Sequence, residues 1–290
     1  MKEERKRELL TYLVPRLGCE HFKRGGCATG RLEQLLRRAE APDASTEDLW
    51  LAFRGLVNVR EPEPADEALL AAQDELLQGM IAEAGITRMA DTEPAPEFRG
   101  IPAGRIRLWR GDITTLAADA IVNAANSGMT GCWAPLHYCI DNAIHTFAGV
   151  QLRIECARLM REQGHPEPTG QAKVTPAYNL PSRHVVHTVG PIAEGHPTPE
   201  HCAQLAASYR ACLDAALAAG DTSIALCCIS TGVFGFPQEQ AAPIAIGTVR
   251  AWLGAHAQDD MTVIFNVFSA EDEAIYRRLL GMESEENCAR

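Results

Sequence analysis

The sequence predicts a three-layer α/β domain with a mixed sheet, preceded by a small helical N-terminal region. Three observations predict it. Leucines recur at helical spacing up to about residue 90, with no alternating strand among them. Residues 91–103, ADTEPAPEFRGIP, are rich in proline and turn formers and read as a linker. Beyond residue 104, short apolar runs alternate with helical segments. The expected division is a helical region over 1–95 and an α/β domain over 104–282.

In the first region, Leu9, Leu10, Leu13 and Leu17 mark one helix face, and Leu32, Leu35 and Leu36 another. Asp43, Ser45 or Thr46 can cap a helix that runs through Leu49, Trp50, Phe53 and Leu56. A further run from Pro64 to Ile86 carries Leu69, Leu70, Leu76, Leu77 and Ile81, with Gly85 as its stop. In the second region RIRLWRGDI and DAIVNAAN read as strands, and KVTPAYNL and HVVHTVG as a pair. SIALCCIST and MTVIFNVFS are apolar throughout, as central strands covered on both faces are. Helical segments are expected over 140–149, 151–163, 199–219, 238–256 and 271–279.

Composition narrows the function classes. The chain has 290 residues and a net charge of -11. That charge argues against duplex nucleic acid as a partner, which would need a basic face. It leaves open a phosphate-bearing small ligand held by backbone amides. No apolar run approaches ~18 residues, so no membrane span is expected. The opening MKEERKRELL lacks the apolar segment of a secretory signal. Ten cysteines without that signal suggest a reducing cytoplasm, with buried thiols and a metal rather than disulfides.

Ligands of such sheets bind outside the strand carboxyl ends. Gly111-Asp112, Asn123 to Asn126, Ser230 to Gly235 and Phe268 all fall at such ends. The amides of Ser230, Thr231, Gly232, Val233, Phe234 and Gly235 suit a diphosphate; an ordinary strand–helix turn is the plainer reading. Asn126 is expected to reach ligand and Asn123 to satisfy loop backbone. Asp112 is either a turn cap or an acceptor for an exocyclic amine. Cys132-x4-His137-x-Cys139 offers three zinc donors in one loop, with no fourth close behind. Three protein ligands suit a catalytic zinc with an open position. Without metal the same residues are two small thiols and a capping histidine. Asp141, two residues on, suits a base or a ribose-positioning group, or simply a helix N-terminus. His145 and His187 read as structural, and Cys19, His21 and Cys27 lack a fourth ligand for a second metal.

The Gly-Asp-Ile strand end, the Asn-Ala-Ala-Asn box, IDNAIH leading to Ala148-Gly149, VHTVGP and the loop Ser230 to Phe236 together resemble the macrodomain. The Cys-x4-His-x-Cys insertion resembles the zinc-containing bacterial branch, in which it replaces a glycine-rich catalytic loop. That resemblance implies ADP-ribose as ligand. It puts Asp112 and Ile113 at the adenine with Phe268 against its ring, the 230–235 amides at the diphosphate and Phe234 along the distal ribose. Asn126 and Asp141 would face that ribose, with Zn2+ on Cys132, His137 and Cys139. It further implies zinc-dependent removal of mono-ADP-ribose from Asp or Glu side chains of modified proteins. A lipoyl-carrier protein modified by a sirtuin-type transferase is a candidate partner. The competing readings are a non-catalytic ADP-ribose reader and a hydrolase of a free ADP-ribose derivative. Deleting residues 1–95 is expected to spare zinc and ADP-ribose binding while lowering activity on modified protein.

Overall fold

The computed structural model describes residues 1–23, 25–26 and 30–282. Its described chain groups into two compact units. One comprises residues 1–86, 128–165 and 177–180; the other comprises 87–127, 166–176 and the chain from 181. The boundary therefore does not simply follow the proline-rich linker, because residues 128–165 group with the N-terminal helices.

The helical unit holds α1 (Glu3–Lys23), α2 (Gly30–Ala39), α3 (Thr46–Val59) and α4 (Glu67–Ala84), then α5 (Ile140–Ala148) and α6 (Val150–Gln163). Ser45 caps α3 in a reciprocal capping box with Asp48, and Asp66 caps α4. These caps satisfy amides that the first helical turn leaves open. The leucine stripes then meet: Leu10, Leu13, Phe53, Leu56, Leu76 and Leu77 are almost wholly buried together. Each contributes roughly 1.5–3 kcal/mol of burial. Val150 of α6 belongs to the same core, and Trp50 lies 5.8 Å from the Phe147 ring of α5.

The second unit carries short strands β1 (Thr87–Arg88) and β4 (Leu116–Ala117), which pair with each other in parallel. It also carries β2 (Glu93–Pro94), β3 (Ile106–Arg110), β5 (Ala120–Ala124), β6 (Ala172–Pro176), β7 (His184–Thr188), β8 (Ser223–Leu226) and β9 (Thr262–Val267). These seven form one sheet in the order β2-β3-β9-β8-β5-β7-β6. The outer pairs β2–β3 and β6–β7 are antiparallel and the inner pairs parallel, so the sheet is mixed as expected. The linker holds one surprise: Glu93 and Pro94 add an edge strand to β3. Proline is tolerated there because an edge strand has one unpaired side. Ile121, Val122, Ile224, Ala225, Val263 and Ile264 are fully buried, which explains the unbroken apolar runs. The remaining helices are α7 (Pro199–Ala218), α8 (Gln238–Ala255) and α9 (Ala270–Leu280). Helix α7 packs on β6 and β7, and α9 on β3. No helix among the described residues is long and apolar enough to cross a membrane.

Candidate functional site

Parallel pairing of β3 with β9 sets Arg110 opposite Val267, so the residues just beyond both strands are neighbours. The Gly111 amide donates to the Val267 carbonyl at 3.1 Å, and the Asn266 carboxamide donates to the Gly111 carbonyl at 3.0 Å. Asp112 follows, exposed, and caps a 3₁₀ turn over Ile113–Thr115. Its Oδ1 accepts from the Thr114 amide at 3.0 Å and the Thr114 hydroxyl at 2.7 Å. Ile113 is buried, whereas Phe268 is exposed at the end of β9.

At the end of β5, Asn123 is fully buried and its Nδ2 lies 3.1 Å from His187 Nδ1. The other His187 nitrogen lies 3.0 Å from the Thr175 hydroxyl. Burial holds the His187 pKa down at about 3, so the ring stays neutral. A neutral ring accepts at Nδ1 from Asn123 and donates at Nε2 to Thr175, which fixes the Asn123 amide. Asn126, half-buried, stands two residues past the strand.

The loop after β8 turns on two positive φ angles, +66° at Ser230 and +67° at Gly235. The first is costly for a residue with a Cβ. A Cβ on Gly235 would also lie 3.2 Å from the backbone of Glu194 and Gly195, so this position needs glycine twice over. The Phe236 amide donates to the Ser230 carbonyl at 2.9 Å, and the Gly235 amide to the Gly232 carbonyl at 2.9 Å. The Thr231 amide reaches the Cys228 carbonyl. Among the described residues none accepts from the amides of Gly232, Val233 and Phe234, three successive donors that suit an anion. Gly190 lets the loop close: a Cβ there would lie 2.1 Å from Ser230 Oγ and 2.6 Å from Ile229 Cγ2. Sequence reasoning missed Tyr209 on α7. Its buried hydroxyl donates to the Cys227 carbonyl and accepts from the Ile229 amide, both at 3.1 Å. It thereby carries the chain from the last ladder bond of β8 into the loop. A tyrosine on a buried helix face gave no local signal of that role.

In the helical unit, Cys132, His137 and Cys139 come together in the segment before α5. Their donor atoms lie within 4.8 Å of one another. Cys132 Sγ is 3.5 Å from His137 Nδ1. Donors on one tetrahedral zinc stand about 3.5–3.8 Å apart. Burial, and then the neighbouring Cys132, push the Cys139 thiol up to about 12, so two thiolates here call for a cation. The residues present therefore fit zinc, and no fourth donor joins them among the described residues. Cys139 also caps α5, its sulfur accepting from the Asn142 amide at 3.4 Å. Asp141, on the first turn of α5, is buried with its Oδ1 3.5 Å from His145 Nε2. The Arg153 guanidinium feels the Asp141 charge; burial draws its pKa down only to about 10, so it stays cationic. For the other cysteine set, Cys27 lies outside the described residues.

Residues 122–245 match the family described as Macro domain. The chain is 53% identical over 255 residues to the Protein-ADP-ribose hydrolase of Treponema medium, which covers 86% of this chain and 96% of that protein. The chain belongs to the macrodomain family. A second relative, the Protein-ADP-ribose hydrolase of Staphylococcus aureus, is 44% identical over 243 residues, 83% of this chain and 88% of that protein. Among solved structures, the Trypanosoma brucei macrodomain in complex with ADP-ribose superposes with a TM-score of 0.60. It is 32% identical and covers 79% of this chain and 95% of its own. The macrodomain sheet and the helical region before it are thus both present here, as the motifs implied.

Proposed function

We propose that this macrodomain is a zinc-dependent hydrolase that releases mono-ADP-ribose from modified proteins, with Asp or Glu side chains as the linkage. The observation that carries this reading is the three-donor cluster followed by a buried carboxylate, on a chain with relatives named Protein-ADP-ribose hydrolase. A cluster serving only the fold would be expected to close with a fourth protein ligand.

On this reading Asp112 offers Oδ2 to the adenine amine, because Oδ1 is engaged by Thr114. Phe268 covers the adenine ring beside Ile113. The amides of the 230–235 loop hold the diphosphate, and Phe234 lies along the distal ribose. That remote binding fixes the reacting carbon, so translational freedom is lost before the bond breaks. Asn126 orients ribose hydroxyls through its carboxamide. A zinc ion on Cys132, His137 and Cys139 would supply Lewis-acid polarisation of an oxygen at the linkage. The Asp141 carboxylate takes the proton from the attacking water or positions the ribose hydroxyl. His145, 3.5 Å away on the same helix face, restrains the carboxylate rotamer. An ADP-ribosylated protein is the proposed partner, with a lipoyl carrier as one candidate, and the cytoplasm the proposed site.

The test is release of ADP-ribose from an Asp- or Glu-modified protein, with metal content measured on the same sample. Cys139→Ala and Asp141→Ala are each expected to lower turnover by about 10²–10⁴-fold while ADP-ribose affinity persists. Only Cys139→Ala should lose the metal. If the wild type holds zinc, binds ADP-ribose and releases nothing, the chain is a reader instead.

A further inference from the structure

We infer that the last turn of α3 is the platform of the Cys132–Cys139 loop and that Asn58 is its positioning residue. The inference rests on the reading of that loop as a metal site. Asn58 is 1% exposed, and its carboxamide is used at both ends by residues about eighty positions away. Its Oδ1 accepts from the Leu136 amide at 3.0 Å. Leu136 directly precedes His137 and holds a φ of +57°, a conformation disfavoured for an L-residue with a Cβ. The Asn58 bond stabilises that backbone and so sets where the His137 ring starts.

The other end of the carboxamide acts on the cysteine side. Asn58 Nδ2 donates to the Thr146 hydroxyl at 3.1 Å, and that hydroxyl donates to Asn142 Oδ1 at 3.4 Å. Asn142 in turn donates from Nδ2 to the Ala134 carbonyl at 3.0 Å, and from its amide to Cys139 Sγ at 3.4 Å. One buried side chain is thus tied to the residue before His137 and, through Thr146 and Asn142 in three hydrogen bonds, to a sulfur donor. Arg153 adds a second strut. Its Nη1 donates to the carbonyls of Val57, Asn58 and Arg60, which close the end of α3. Its guanidinium lies 4.3 Å from the Trp133 ring, next to Cys132.

The loop needs such a platform. Met129, Gly131 and Leu136 all have positive φ, and no helix or strand spans residues 128–139. Metal affinity depends on how much of the donor geometry exists before binding. Residues that orient ligands in this way typically change affinity 10–100-fold when lost.

The experiment uses the full chain as wild type, Asn58→Ala and Thr146→Val. Zinc affinity is measured by chelator competition, the cobalt(II) absorption spectrum reports donor geometry, and melting confirms folding. Asn58→Ala is expected to weaken zinc binding about 10–100-fold and to alter the cobalt bands. Thr146→Val should shift both in the same direction by less, and ADP-ribose affinity should hold in each. A purely structural role would lower the melting temperature and leave the cobalt spectrum alone. Wild-type zinc affinity and spectrum in folded Asn58→Ala would overturn the inference; if that variant does not fold, the same result in Thr146→Val overturns it. A wild type that takes up no zinc removes the metal reading, and this inference with it.

Discussion

In the α/β unit, Asp112, Asn126, Ser230 and Phe268 stand just beyond strands whose ladders run in register, Ile106 opposite Val263 and Ala120 opposite Ile224. In the helical unit, Cys132, His137 and Cys139 lie on a segment with no regular structure, held by side chains from α3, α5 and α6. A ladder spreads the job of positioning over many backbone bonds, so no single side chain decides it. A loop held by a few side-chain bonds has no such redundancy. Point changes are therefore expected to damage the Cys132–Cys139 loop sharply and the strand ends more gradually.

The severest test removes residues 1–86. That cut takes away Trp50 from Phe147, the leucine core from Val150, and the α3 carbonyls from Arg153. We expect complete loss of zinc and rapid proteolysis within 128–165. This differs from the sequence-based expectation that zinc binding would survive deletion of residues 1–95. Stoichiometric zinc in the truncated protein would break the comparison.

A smaller effect is expected from Gly190→Ala. Its Cβ meets Ile229 and Ser230, and forcing them aside should cost about 1–3 kcal/mol. Calorimetry with ADP-ribose should show weakened binding, with zinc content unchanged. Equal loss of zinc would mean that the two sets of residues are not independent.

Near neutral pH the smallest effect is that of acid. His187 is neutral in the folded chain down to about 3, whereas the unfolded ring protonates near 6.5. Below about 6.5 the unfolded state therefore binds more protons, and stability falls as pH falls through that window. The loss is below about 1 kcal/mol at pH 6 and steepens towards ~1.4 kcal/mol per unit lower down. Denaturant midpoints from pH 4 to 7.5 should show it, and His187→Gln should flatten it.

Much of the fold was legible because burial leaves a period. The central strands read as apolar runs, and the N-terminal helices as leucine stripes with Ser45 and Gly85 among their ends. The short pairs at Thr87 and Glu93 were not, since two residues carry no period. In the candidate site, the donor trio showed through its spacing and the 230–235 loop through its glycines. Asn58 and Tyr209 did not show. Each acts on residues far along the chain, and neither departs from what its own helix would tolerate.

By itself the sequence determined the longer strands, the helices and the order of the candidate-site motifs. Those follow from local periodicity and from residue chemistry that needs no partner. Only the tertiary structure decided that residues 128–165 pack with the N-terminal helices, and that the Cys132–Cys139 loop hangs on Asn58 and Arg153. The physical reason is range. A hydrogen bond across eighty residues leaves no pattern in the sequence between its ends, and it becomes visible only once packing has brought donor and acceptor together.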